Sequence, residues 1–358
     1  EGTQFACLRF NEEQKMAFYD SLFNVLGLRV WCDSATETPK LSMASLLAKT
    51  NPDAANEGPI FPFPSMDELY QACLSFPQSR EFTAGVEAAF LNVKDVLKSV
   101  LDPLTQPLSW LLELALFSFL ATPWWIIIPL ILLFVWYVCR SVVVTVFVTL
   151  SFTFLAFIDH LDAALQTLAI IAVCTGICIL LGVPIGIAMA KSNRLQRGLI
   201  PLLDLLQTLP TFVYLIPLIF LFSVTEPKLY GIAIIVYAIV PVIRLTDLGI
   251  RLVDQDVVEA ANAFGMSPRQ KLLGIELPLA LPNIMAGVNQ TIMMSLAMVV
   301  IASLVSAPGL GVLVLRGIRN LELGVGLIAG LGIVLLAVIL DRVSKAAIAR
   351  VSTNQIFK

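Results

Sequence analysis

Residues 163–190 read AALQTLAIIAVCTGICILLGVPIGIAMA, with no Asp, Glu, Lys, Arg or His among them. An α-helix rises 1.5 Å per residue and the hydrocarbon core of a bilayer is about 30 Å thick, so roughly 20 apolar residues make one crossing. This stretch is long enough. Inside hydrocarbon every backbone amide must find its partner within the protein, and a helix does so by itself. The run is too long and too continuously apolar for the alternating strands of a membrane barrel.

Five further stretches share the lack of charge: Leu114–Cys139, Ser141–Ile158, Leu229–Ile243, Asn283–Leu315 and Leu323–Leu340. A sixth, Leu199–Phe222, carries only Asp204. Leu229–Ile243 reaches membrane length only by continuing toward Ile250, past Arg244 and Asp247. About seven spans are therefore expected, in an all-α polytopic membrane protein. Composition agrees: of 358 residues 58% are hydrophobic and 14% charged, against about 25% charged in soluble domains. The net charge of −3 offers no bulk attraction for a nucleic acid.

The cysteines carry no metal signal. Cys139, Cys174 and Cys178 lie in apolar runs, Cys7, Cys32 and Cys73 are scattered, and no CxxC occurs. The single histidine, His160, sits in Asp159-His160-Leu161-Asp162. Either it titrates near neutral pH between two acids, or it is a solvated loop residue, the reading preferred here.

Residues 1–78 differ in composition, being polar and rich in proline. Phe18, Leu22, Phe23 and Leu26 fall at helical spacing, and Ser65-Met66-Asp67-Glu68 is a capping box that starts a short helix toward Phe76. From Arg80 to Val100, apolar Phe82, Val86, Phe90, Val93, Leu97 and Val100 oppose Glu81, Glu87, Lys94, Asp95 and Lys98. That pattern suits a helix lying at a membrane surface, against a partner, or against residues 1–78. No long apolar run precedes residue 110, so nothing ahead of it reads as a secretory signal. The expected division is an extracytoplasmic segment 1–78, an amphipathic region 79–113, a membrane domain 114–345 and a cytoplasmic tail 346–358.

Basic residues beside the spans set orientation. With the N-terminus outside, seven spans place Arg140, Lys191–Arg197, Arg244–Lys271 and Arg342–Lys358 inside, with Arg316 and Arg319 as the exception. Trp124-Trp125 and Trp136-Tyr137 fit interfacial belts.

The most informative polar stretch is Asp254–Pro278. Local chemistry predicts two short helices and a bend. Gly265 can take the positive φ that ends the first helix. Ser267 is then an N-cap, Pro268 the first helical residue, and Gln270 closes a capping box. Ala260 and Ala261 give the first helix a small-residue face suited to a groove on another protein. Pro278 and Pro282 are expected to end the element before a span begins near Asn283.

Glu259, Ala260, Ala261, Gly265, Ile275, Leu277 and Pro278 stand at the spacing Glu-Ala-Ala, three residues, Gly, nine residues, Ile-x-Leu-Pro. This resembles the EAA motif of permease subunits of binding-protein-dependent ABC importers. Pro201–Asp204, Gln207–Pro210, Phe212–Leu215, Ile284–Thr291 and Leu315–Ile318 look like the ProU-type glycine betaine/proline betaine permeases, over roughly Thr83 to Ala347. Residues 1 to about 64 fall outside the likeness, which leaves choline, carnitine and trimethylamine N-oxide permeases open. The resemblance implies a type I importer permease fold in a bacterial inner membrane, with 254–278 as the element that couples to an ATPase. It implies a second copy of the chain, two ATPase subunits that bind ATP and Mg, and an extracytoplasmic solute-binding protein. No cofactor is implied for this chain, and it contains no Gly-x4-Gly-Lys-Ser/Thr sequence.

Other residues have two readings. Asp204, the acid in an apolar run, is a functional candidate by default, or makes an interfacial ion pair. Arg244 and Asp247, three apart on one helix face, are read as a structural pair. Pro210, Pro217 and Pro241 kink helices, around a pathway or as packing features. Gly176, Gly182 and Gly186 are expected to allow close helix packing, and Pro308, Gly309 and Gly311 an irregular turn. Phe212, Tyr214, Tyr230 and Tyr237 are the aromatic groups available to a quaternary cation, and no substrate site is assigned from them. An ion-coupled transporter would need acids along the pathway, and only Asp204 fits. An intramembrane enzyme would need paired catalytic groups, and no HExxH or comparable acid pair is present.

Overall fold

The computed structural model of the chain describes residues 22–27 and 79–356. The expected helix from Ser65 and the cysteines Cys7, Cys32 and Cys73 lie outside the described residues. The chain divides into two compact units, Glu1–Val93 and Lys94–Lys358. In the first, residues 22–25 form one helical turn with Phe23 buried.

Among the described residues all regular structure is helical. The helices are α1 (Ser79–Ala121), α2 (Trp124–Cys139), α3 (Val142–Phe157), α4 (Leu161–Lys191), α5 (Asn193–Thr208), α6 (Leu215–Leu221), α7 (Pro227–Arg251), α8 (Gln255–Ala263), α9 (Pro268–Lys271), α10 (Leu277–Ala302), α11 (Leu310–Arg319) and α12 (Leu323–Ile356).

Five of these stretches are long and apolar enough to cross a membrane: Phe82–Ala121, Leu161–Lys191, Pro227–Arg251, Pro268–Val305 and Leu323–Ala347. The expected segment bounds are corrected in three places. The run Leu114–Cys139 is not one helix. Its first part is the end of α1, and the chain breaks at Thr122-Pro123 because proline supplies no amide to continue the ladder. That leaves α2 and α3 with 16 residues each, about 24 Å long and short of the full hydrocarbon thickness. The amphipathic region expected at 79–113 is continuous with the apolar turns that follow it, in a single helix of 43 residues. The run Leu199–Phe222 divides into amphipathic α5 and short α6, with residues 209–214 outside any helix.

The helices α4, α7 and α10 form the core, with α7 between the other two. Close approach follows from small residues at the crossings. A Cβ placed on Gly186 would meet Thr246 Cβ at 2.6 Å, and one on Gly249 would meet Asn283 Cβ at 2.8 Å. Gly182 likewise faces Val242, whereas Gly176 has open space and needs no glycine for packing. The run Asn283–Leu315 turns sharply after α10. Ser306 and Gly309 both take positive φ, and the Leu310 N–H donates to Thr167 Oγ1 at 3.0 Å, which caps α11. The irregular turn expected at Pro308–Gly311 is thus present.

Lys228 ends the polar stretch Ser223–Lys228. In the structure it is buried at the start of α7, bonded to Asp102 of α1 at 2.7 Å and to Glu226 at 2.8 Å. Tertiary pairing across 126 positions leaves no local pattern to find. His160 precedes α4, and its Nδ1 lies 2.6 Å from the Ile158 carbonyl oxygen.

Candidate functional site at the 254–278 element

The element grows from the end of α7, where Arg251 joins three helices. Its Nε donates to Asp247 Oδ1 at 2.9 Å, one Nη to Asn193 Oδ1 at 2.9 Å and the other to the Met189 carbonyl at 2.8 Å. Gln196 of α5 donates to the second Asp247 oxygen at 2.7 Å. Asp247, buried, is satisfied on both oxygens, which is what a buried carboxylate requires. The sequence reading paired Arg244 with Asp247. Arg244 in fact pairs with Asp204 of α5, and Asp247 with Arg251 one helical turn on. Spacing on one helix does not reveal a partner on another.

Asp254 caps α8, its side chain accepting from the Asp256 N–H at 3.0 Å. The helix closes at Phe264 with two reversed backbone bonds, Met266 N to Ala261 O at 3.1 Å and Gly265 N to Asn262 O at 3.0 Å. This is a Schellman ending, and it requires the left-handed φ of +71° that Gly265 adopts. Ser267 then caps α9 through the expected capping box: its N–H donates to Gln270 Oε1 at 2.9 Å, and its Oγ accepts from Gln270 N at 3.4 Å. Lys271 Nζ reaches back to Asn262 Oδ1 at 3.0 Å, so one ion–dipole contact fixes the angle between the two short helices.

No break follows. A π-helical turn, Leu272–Glu276, runs directly into α10. The expected stop at Pro278 and Pro282 is therefore corrected: the π turn passes straight into α10, Pro278 takes its second position, and Pro282 lies further inside the helix. Glu276, on the π turn, is buried and pairs with Lys191 at the end of α4. Single π turns recur where function demands an irregular helix.

The seven motif positions divide by exposure. Glu259, Ala260 and Gly265 are exposed, while Ala261 is only 3% exposed and packs inward. The flat Ala260-Ala261 face is corrected accordingly: only Ala260 is open. Ile275, Leu277 and Pro278 are half-buried. Leu277 and Val258 pack on a cluster of Ile250, Val253, Ala280 and Ile284, with Val183 and Ile187 of α4. The element is thus exposed at its tip and rooted in residues of all three core helices. At the tip Phe264 is 88% exposed and Leu273 67%, large apolar side chains on a polar surface.

A second irregular segment, residues 209–214, lies between α5 and α6 and contains Pro210. Its bonds are turn-like: Val213 N to Pro210 O at 2.9 Å and Leu215 N to Phe212 O at 3.2 Å. Non-helical backbone within apolar sequence is tolerated only inside protein or beside a water-filled cavity. Phe212 is exposed, and the buried Tyr214 hydroxyl has no partner among the described residues. Tyr230 is buried and Tyr237 half-buried on α7. The four aromatic candidates do not share one exposed face. Among the described residues no cluster of His, Cys, Asp or Glu has metal-ligand geometry.

The family described as "Binding-protein-dependent transport system inner membrane component" matches residues 182–353. The glycine betaine transport system permease protein OpuAB of Bacillus subtilis is 43% identical over 203 residues, covering 56% of this chain and 71% of that one. The chain belongs to this family. The glycine betaine/proline betaine transport system permease protein ProW of Escherichia coli is 50% identical over 184 residues, 51% of each chain. The trimethylamine N-oxide transport system permease protein TmoV of Ruegeria pomeroyi is 40% identical, covering 56% of this chain and 30% of that one. The chain thus spans about half the length of the ProW relatives it matches. A solved chain of the methionine ABC transporter MetNI in an inward facing conformation has a TM-score of 0.49 at 18% identity, over 54% of this chain and 95% of that one. Within the binding-protein-dependent transport family, the matched residues begin in α4 and end in α12. They therefore contain α7, α10 and the whole 254–278 element.

Proposed function

We propose that the chain is the membrane-spanning subunit of an ABC importer for a quaternary ammonium or methylamine osmolyte, working by alternating access. The relatives' names give the solute class: glycine betaine, proline betaine, carnitine and trimethylamine N-oxide. Choline belongs to the same chemistry. Two copies of the chain would line the pathway, a binding protein would deliver solute outside, and two ATPase subunits, holding ATP and Mg, would dock inside.

The observation that carries this reading is the form of 254–278. Glu259, Ala260, Gly265 and Phe264 face outward, free to enter a cleft on an ATPase. Ile275, Leu277 and Pro278 tie the same element to the core, and Glu276 ties it to α4. Motion imposed at the tip would pass to α4, α7 and α10 through packed side chains, because a close-packed cluster transmits displacement. This assigns Glu259, Ala260 and Gly265 to docking, Ala261 to stiffening α8, and Ile275, Leu277 and Pro278 to transmission. The broken segment 209–214 would line the pathway. On this reading residues 1–78 would lie outside and 346–358 inside, as the basic residues beside the spans favour. An ion-coupled carrier is disfavoured because Asp204, the acid that the apolar runs offered it, is exposed and already paired with Arg244.

The test uses the complex reconstituted in proteoliposomes. Gly265→Pro removes the left-handed turn, and Glu259→Lys reverses the charge at the tip. Both are expected to abolish solute-stimulated ATP hydrolysis and uptake while the chain stays folded by circular dichroism. Unchanged uptake in both variants would remove the coupling role.

A further inference from the structure

A groove of about 590 Å³ is formed by α2, α3, α4 and α12, with Phe119 of α1 at its edge, and its walls are apolar or aromatic throughout. Leu130, Phe134 and Tyr137 come from α2, Phe152 from α3, Ala172 from α4 and Val343 from α12. An osmolyte carrying full charges would lose its hydration there and gain no polar partner. The groove is therefore unsuited to the transported solute.

One end of it is different in kind. The Arg350 guanidinium lies 5.6 Å from the centre of the Tyr137 ring and donates to the Tyr137 carbonyl oxygen at 2.5 Å. Cys139 Sγ lies 3.9 Å from the Val343 carbonyl oxygen, and Arg140 and Arg342 are the chain neighbours of these two residues. Both of these arginines are exposed. Among the described residues none of the three pairs with a carboxylate. The nearby acid, Asp341, is already bonded to Lys345 at 2.8 Å and approached by Asn289 at 3.4 Å.

We infer that this groove binds an anionic phospholipid, an acyl chain along Leu130, Phe134 and Phe152 and the phosphate at Arg140, Arg342 and Arg350. The arrangement matches the molecule at both ends. A hydrocarbon chain needs an apolar slot with no polar group to desolvate, and a phosphate needs planar, permanently charged donors. Basic pockets between membrane helices are suited to lipid headgroups. A second copy of the chain seated in the same place would have to bury three unpaired arginines, at a desolvation cost for each. This site is separate from the 254–278 element and does not depend on which solute is carried.

The experiment measures lipid retained by the purified full chain in detergent, by native mass spectrometry, with phosphatidylglycerol and phosphatidylcholine of identical acyl chains. Arg140→Ala and Arg350→Ala remove headgroup contacts. Ala172→Phe fills the groove from an exposed position that tolerates the added ring, and circular dichroism checks that each variant is folded. The expected result is preferential retention of phosphatidylglycerol, weakened about fivefold by each arginine removed, with phosphatidylcholine unaffected. Ala172→Phe is expected to weaken both lipids. Equal retention of the two lipids by the unaltered chain would overturn the site. So would unchanged phosphatidylglycerol retention in all three folded variants, or a dimer that excludes lipid from the groove.

Discussion

Residues 254–278 and residues 199–222 each interrupt the membrane-spanning sequence with proline, yet they are built on opposite principles. The first is polar and closes on itself: Asp254, Gly265, Ser267 and Gln270 satisfy its helix ends from within a few residues. The second is apolar, and its break at 209–214 has no side-chain cap of its own. An element that supplies its own caps can project from a membrane domain as a stiff lever. A break without them survives only where the surrounding protein or water accepts its backbone groups.

The same contrast explains what was legible in the sequence. The bend at Gly265 and the capping box at Ser267 rest on residues three or four positions apart, so their chemistry could be read directly. The core span Leu161–Lys191 followed from charge-free length, and Pro227–Arg251 from carrying the run Leu229–Ile243 onward past Arg244 and Asp247. The division of 199–222 did not, because an unbroken apolar run conceals where its backbone bonds end. Partners from other helices were equally hidden: Asp204 with Arg244, Glu276 with Lys191, and Lys228 with Asp102. Each depends on helix packing that no local spacing encodes. The inward turn of Ala261 was missed for the same reason, since its face is set by the core beneath it.

The largest effect should separate the root of the lever from its tip. Lys191→Ala leaves Glu276 buried without a counter-charge and is expected to cost about 3 kcal/mol in unfolding experiments in detergent. Glu276→Gln, which leaves only the half-exposed lysine unpaired, should cost about 1 kcal/mol. Equal losses would show that burial of Glu276 does not govern the pair.

Next is the bend. Nothing lies within 4 Å of a Cβ placed on Gly265, so Gly265→Ala should cost only the left-handed backbone penalty, about 1 kcal/mol. Gly265→Asn should cost less, because asparagine tolerates that conformation. Ser267→Ala should cost about 1 kcal/mol through the lost cap. Thermal melts of the three variants give the ranking, and an indifferent Ser267→Ala would mean that the element does not depend on its own caps.

The smallest effect belongs to the other region. Asp204 and Arg244 are 54% and 36% exposed as side chains, and exposed pairs are worth about 0–1 kcal/mol. Asp204→Asn should therefore leave the unfolding midpoint almost unchanged. A loss matching that of Lys191→Ala would make the α5 side as rigidly anchored as the lever, and the contrast between the two regions would disappear.

The central claim is that work done elsewhere enters through 254–278 and moves the core helices. Its most direct test is uptake of labelled glycine betaine into proteoliposomes with ATP inside, with and without the ATPase subunits bound to this chain. Uptake that requires both ATP and the bound ATPase is the predicted result. Uptake at the same rate from vesicles lacking the ATPase would contradict it.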